Sequence, residues 1–257
     1  MSAEQAKFVW YDLMTSDAKA AESFYQSVVG WNMQDAGMGD RSYTILSAGP
    51  TMVGGLMPIP EDARSMGVKP GWNGYIGVSD VDAYAARVAA AGGTIRRPPD
   101  DIPGIGRFAV ATDPYGAAFI LFKGNSDEQP APVAAGTPGH VGWHELHAGD
   151  GEKAFTFYAD LFGWTKDEAL DMGPLGIYQT FATGGAAIGG MMTKTEEMPA
   201  ACWLYYVNVE SVDAAVARIG HGGGKVIMGP HQVPGGSWIV QGLDPQDAMF
   251  ALVSAHR

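Results

Sequence analysis

Two stretches of the chain place a tryptophan and a carboxylate two residues apart: Trp10 and Asp12 in KFVWYDLM, and Trp143 and Glu145, followed by His147, in HVGWHELH. Side chains in an extended strand alternate between faces, so each indole and its acid point the same way, and His147 joins the second pair. If that side faces an apolar cup, a carboxylate there is costly unless it is paired or protonated. Such an acid can act as a general base, or anchor a cationic or hydroxylated ligand stacked on the flat indole. It can also be purely structural, pinned by hydrogen bonds from tyrosines such as Tyr43 and Tyr178, since structural networks perturb carboxylates too. Trp238, in VPGGSWI, offers a third flat surface. The ligand-binding set expected from the sequence is therefore Trp10, Asp12, Trp143, Glu145, His147 and Trp238.

The histidines gather in the same segment. His140, His144 and His147 form the densest imidazole cluster, and Glu145 with His147 could hold a transition metal. Alternation sends His144 to the other face, however, and two ligands fall short of the three or four that a stable site needs. No metal and no cofactor are expected. Arg107, in IPGIGRF, could meet an anionic group, although an exposed side chain there is the simpler reading. Neither Gly-rich loop, IPGIGRF nor VPGGSWI, matches a phosphate-cradling motif.

These residues lie in a chain that repeats itself. FYQSVVGW at Phe24 returns as FYADLFGW at Phe157, an offset of 133 (157 − 24). VGGLM returns as IGGMM, with Gly54 matched to Gly189 at an offset of 135, and DPYGAAFIL returns as DPQDAMFAL, with Asp113 matched to Asp244 at 131. An ordered series with small changes of offset is the mark of a duplication. The predicted domains are 1–124 and 140–257, joined by a Pro/Ala/Gly-rich linker over 125–139. Within each half the pattern is strand, helix, three strands, twice over. The first helix is predicted to start at an N-cap on Ser16 and to stop at Gly30.

Composition limits the function classes. At 27.1 kDa, with 46% hydrophobic and 17% charged residues, the chain can bury substantial cores. Sixteen Lys and Arg against 28 Asp and Glu give a formal net charge of −12, which disfavours nucleic acid and membrane surfaces as partners. The N-terminal MSAEQAKFVWYDL lacks the layout of a signal peptide, and one cysteine, Cys202, permits no internal disulfide. A cytoplasmic protein, monomeric or homodimeric, with a small-molecule ligand is expected.

The order of units, SFYQSVVGW after the first helix, VSDVDA opening the second and DPYGAAF leading into the last strand resemble the vicinal oxygen chelate superfamily of glyoxalase I, bleomycin resistance proteins and extradiol dioxygenases. Within it the chain is similar to tandem proteins of glyoxalase-like or hydroxylase type. The resemblance implies an α+β fold of tandem duplicated domains, each of two βαβββ modules forming an open barrel-like sheet around a concave site. It also implies a divalent metal held by His, Gln or Glu on the first and last strands of the modules. Those positions fall here on Trp10, Asn73, Ile120, Trp143, Leu204 and Ala251. The implied alternatives are a bleomycin-resistance-like binding protein without metal, or a glyoxalase-like lyase, hydroxylase or isomerase using Asp12 or Glu145, or a nonstandard metal at Glu145 and His147.

Overall fold

The computed structural model describes residues 6–37, 42–126 and 133–257. Four βαβββ modules follow one another. The first is β1 (Phe8–Thr15), α1 (Ala18–Val28), β2 (Asn32–Asp35), β3 (Thr44–Ala48) and β4 (Thr51–Pro58), with a short α2 (Glu61–Ser65) after it. The second is β5 (Gly71–Gly77), α3 (Val81–Ala90), β6 (Thr94–Ile102), β7 (Gly106–Thr112) and β8 (Ala118–Gly124). The third is β9 (Val141–Ala148), α4 (Gly151–Phe162), β10 (Thr165–Asp171), β11 (Ile177–Ala182) and β12 (Ala187–Thr193). The fourth is β13 (Cys202–Asn208), α5 (Val212–His221), β14 (Lys225–Gln232), β15 (Trp238–Leu243) and β16 (Met249–Ser254). The first strand of each module pairs parallel to its last, and the strands between are antiparallel. Each repeat thus carries one open eight-stranded sheet, in the orders β2-β3-β4-β1-β5-β8-β7-β6 and β10-β11-β12-β9-β13-β16-β15-β14.

Each of the four long helices starts on a side-chain cap. Asp17, Asp80, Asp150 and Ser211 sit in extended backbone and accept from the amides of Ala20, Ala83, Lys153 and Ala214. Such a bond satisfies an amide that the helix itself leaves without a partner. The first cap is therefore Asp17, not Ser16. Gly30 does close the first helix, at φ +89°. Strand β2 carries no apolar alternation in its sequence, NMQD, and exists because it pairs with β3 along the edge of the sheet.

The compact units of the chain do not coincide with its repeats. One unit takes Trp143–Trp203 together with β5 to β8 from Gly74 onward; the other takes Trp10–Asn73 together with Leu204–Arg257. Within the second of these, Leu13, Phe24, Tyr25, Val28, Trp31 and Leu56 of the first module pack with Val207, Ile219, Val240, Phe250 and Leu252 of the fourth. The repeated octapeptide makes that core. Tyr25 receives a hydrogen bond from Trp72 Nε1 at 3.0 Å and donates to Asp244 Oδ2 at 3.1 Å, while Trp31 Nε1 donates to the Gly139 carbonyl at 2.8 Å. The other unit repeats the device: Trp203 Nε1 donates to Tyr158 at 2.9 Å, Tyr158 reaches Asp113 Oδ2 at 3.5 Å, and Trp164 Nε1 donates to the Ala6 carbonyl at 2.7 Å. Burial pushes the carboxyls of Asp113 and Asp244 up, against the pull of the backbone amides that each accepts. Part of the expected linker, 127–132, lies outside the described residues.

The sharing of cores makes a testable demand. The first repeat expressed to residue 126, or the second from residue 133, leaves its Phe-Tyr helix without the strands that cover it. Neither should give a stable monomer, whereas co-expression should return a 1:1 complex with native-like unfolding. A monomeric, cooperatively folded half would refute the shared-core account.

His144 supplies a second demand. Its ring stacks on Phe8 at 4.4 Å and its Nδ1 lies 2.7 Å from the Ile188 carbonyl. Burial lowers its pKa to about 4, with the carbonyl opposing. The unfolded chain, with an ordinary imidazole near 6.5, therefore takes up its proton first as pH falls. Stability from this group is present above pH ~6.5 and lost on descent towards pH ~4, by about 3 kcal/mol in all. The raised carboxyls of Asp113 and Asp244 work in the opposite sense, so the difference between wild type and His144→Gln isolates the histidine. Urea unfolding from pH 7.5 to 4.5 should show that difference shrinking with acid; a pH-independent difference would refute it.

Candidate functional site

Strand alternation in β1 puts Tyr11 and Leu13 on the core face and Trp10 and Asp12 on the other. There Trp10 Nε1 lies 2.9 Å from Asp12 Oδ1 and 2.9 Å from the Tyr43 hydroxyl, which itself donates to Asp12 Oδ1 at 2.7 Å. Asp12 is 4% exposed. Opposite it on β4 stands Gly55, where any side chain would overlap the Tyr43 phenol. Burial first, then the charge of Asp12, pushes the Tyr43 pKa well up, so this hydroxyl remains a donor.

The second repeat rebuilds the cluster with one methylene more in the acid. Trp143 Nε1 donates to the Tyr178 hydroxyl at 2.7 Å, and Glu145, 8% exposed, stands opposite Gly190 of β12. A methyl group at Gly190 would overlap Tyr178. Tyr178 is pushed up by burial and then by Glu145, and the Cys202 thiol is pushed up to about 11 by the same two causes. Cys202 is thus held as the protonated thiol. His147 shares the face, as expected, with Nε2 3.9 Å from Glu145 Oε2. His144 faces the other way, into the stack with Phe8. His140 sits beside Asn208, which donates to its carbonyl at 2.9 Å.

The remaining sequence candidates are placed elsewhere. Trp238 shares its face of β15 with Val240, packs against the core of its unit and carries the Arg257 guanidinium 5.1 Å above its ring. It is half-buried and stands on a different strand from the Trp-acid-Tyr clusters. Arg107 is held by Asp82 at 2.7 Å and Asp101 at 2.9 Å on the surface, so its charge is already answered. An apolar cavity bordered by Tyr11, Trp31, Trp72 and Tyr205 lies on the core face of β1 and has room for about one water molecule. It is too small for an organic ligand. Sequence reasoning passed over Gly55 and Gly190, although the repeated Gly-Gly pairs were their signal, and it passed over the buried bond from Gln241 Nε2 to the Tyr206 hydroxyl at 2.7 Å.

The donor set does not fit the metal that the fold implies. Trp10 and Trp143 present indole N–H groups, which are donors without a lone pair to give, and both are engaged with tyrosine hydroxyls. Ile120, Leu204 and Ala251 are buried hydrocarbon. Asn73 turns its amide to the Gly71 carbonyl at 3.4 Å. Among the described residues no three His, Cys, Asp or Glu side chains converge as ion ligands.

The glycines opposite the acids can be tested directly. Gly190→Ala should displace Tyr178, free the Trp143 indole and destabilise the fold by about 1 to 3 kcal/mol, the usual cost of overpacking. Gly55→Ala should do the same at Tyr43. Chemical denaturation with tryptophan emission as the probe reads both effects; wild-type stability and spectrum in both variants would contradict the packing described.

Comparison with known proteins agrees with this architecture. The family model described as Glyoxalase/Bleomycin resistance protein/Dioxygenase superfamily matches twice, over residues 7–121 and 137–252. "Putative glyoxylase CFP32" of Mycobacterium bovis is 32% identical over 246 residues, covering 95% of this chain and 93% of the relative. "Anthracycline biosynthesis protein DauV" of a Streptomyces species is 31% identical over 261 residues, covering 95% and 91%. Among solved structures, the Mn(II)-bound glyoxalase of Novosphingobium aromaticivorans superposes with a TM-score of 0.65 at 19% identity, covering 100% of this chain and 83% of that one. Homoprotocatechuate 2,3-dioxygenase of Brevibacterium fuscum, in complex with 3,4-dihydroxyphenylacetate, gives 0.68 at 14%, covering 98% and 81%. At those identities the two structures speak for the fold alone. With both repeats matched and relatives above 30% identity along nearly its whole length, the chain belongs to the glyoxalase/bleomycin resistance protein/dioxygenase superfamily.

Proposed function

We propose that the protein binds a small, planar organic molecule without the metal usual in its superfamily, in the manner of the bleomycin-resistance branch. The observation that carries this reading is the replacement, in both repeats, of a first-strand metal ligand by an indole beside a buried carboxylate and a tyrosine hydroxyl. An indole offers a flat surface for stacking, and the acid beside it can accept from a donor on the ligand. The name of the relative in anthracycline biosynthesis supports a fused-ring ligand. No helix among the described residues is long and apolar enough to cross a membrane. We read the chain as a cytoplasmic monomer or homodimer that avoids nucleic acid and membranes, in keeping with its net charge of −12.

A second reading, a glyoxalase-like lyase, hydroxylase or isomerase, draws on the nearness of Glu145 and His147, an acid and an imidazole that could divide a proton transfer. Two measurements on the purified protein separate the readings. Titration with 2-hydroxyanthraquinone should quench tryptophan emission saturably, and chelator should leave the melting temperature unchanged, because a tightly held ion would raise it by linkage. A marked fall on chelation, or no quenching by this or other planar probes, would set the first reading aside.

A further inference from the structure

The two repeats differ in the residues around the acid. Where the first has Asp12 and Met14, the second has Glu145 and His147; where the first has Gly71, the second has Cys202. His147 is nearly buried, with its side chain 12% exposed, and its Nε2 is one of two buried side-chain polar atoms without a hydrogen-bond partner among the described residues. A buried polar atom in that condition is costly, and native structures rarely keep one without use. The neighbouring carboxylate oxygen, at 3.9 Å, is too far for a direct bond. One oxygen atom about 2.8 Å from each would bridge them once a turn of the buried imidazole admits it.

Resting on the ligand-binding reading above, we propose that Glu145 and His147 form a clamp for one hydroxyl group of the ligand, which makes the second repeat the anchoring half and the ligand a hydroxylated aromatic. A hydroxyl is the group that suits the gap. It donates to the carboxylate, which only accepts, and it accepts from the imidazole Nε2–H. Carboxylate oxygens take several donors at once, so the contacts Glu145 already makes do not exclude another. Trp143 stands two residues before Glu145 on the same face of β9, and its ring is the surface on which the aromatic body lies. An ether in place of the hydroxyl keeps shape and acceptor but removes the donor.

The test pairs 2-hydroxyanthraquinone with 2-methoxyanthraquinone on the full chain, in wild type, Glu145→Gln and His147→Met, the last restoring the residue of the first repeat. Tryptophan quenching reports binding, and melting reports folding. Each variant should lose roughly tenfold or more in affinity for the hydroxyl probe, the value of a charge-assisted bond. The methoxy probe should bind wild type weakly and be indifferent to both changes. His147→Met should melt at or above wild type, because an apolar side chain replaces an unpartnered polar one. If wild type binds the hydroxyl probe and both variants bind it equally well, the clamp falls while the planar-ligand reading stands. If neither probe quenches wild type, that reading falls and takes the clamp with it. A melting temperature several degrees lower in His147→Met would assign the imidazole to the fold and also overturn the clamp.

Discussion

The buried tyrosine hydroxyl on the first helix of each repeat is the contact on which the rest of the structure depends. Tyr25 and Tyr158 each take a hydrogen bond from an indole and reach the carboxylate of an Asp-Pro turn. Those turns lie in the other repeat, so one residue on one helix ties two copies of the module into a single core. The same eight-residue phrase supplies the second tie, since its closing tryptophan donates to a carbonyl just ahead of the first strand of the other repeat. The phrase occurs twice because two cores are built, each from modules of both halves. Partnering matters here because a phenol, an indole N–H and a carboxylate buried without each other would each carry the full cost of desolvation.

With the helices and their aromatics on one face of the sheet, the alternating residues of β1 and β9 are committed to the opposite face. Tyr11 and Leu13 go to the core, so Trp10 and Asp12 cannot. A buried acid then has to be answered locally: Tyr43 donates to Asp12 because Gly55 leaves it space across the strand pair, and Gly190 leaves the same space for Tyr178 beside Trp143. The clusters follow from the core by the period of two in a strand.

The same period explains what could be read in advance. The module order, the duplication, the pairing of Trp10 with Asp12 and the turning away of His144 all depend on local pattern or on self-similarity, which a sequence displays. The compact units were hidden because repetition shows that two segments are alike without saying which copy packs on which. Ser16 and Asp17 are both good caps; the chain settles on Asp17 because its carboxylate reaches the Ala20 amide, a choice of one residue that propensity does not resolve.

Duplication gave the protein two copies of a structural solution, and the copies differ in how the acid is answered. In the first repeat a short acid lets indole and phenol converge on one carboxylate oxygen, a closed network that favours rigidity. In the second, the longer Glu145 lies beside an imidazole whose Nε2 has no protein partner. A fold that has already met the cost of burying one such acid with tyrosine and glycine can tolerate a further polar group next to the other. Two aromatic cores, each built from modules of both halves, hold the architecture while the polar residues beside the acid differ from one repeat to the other.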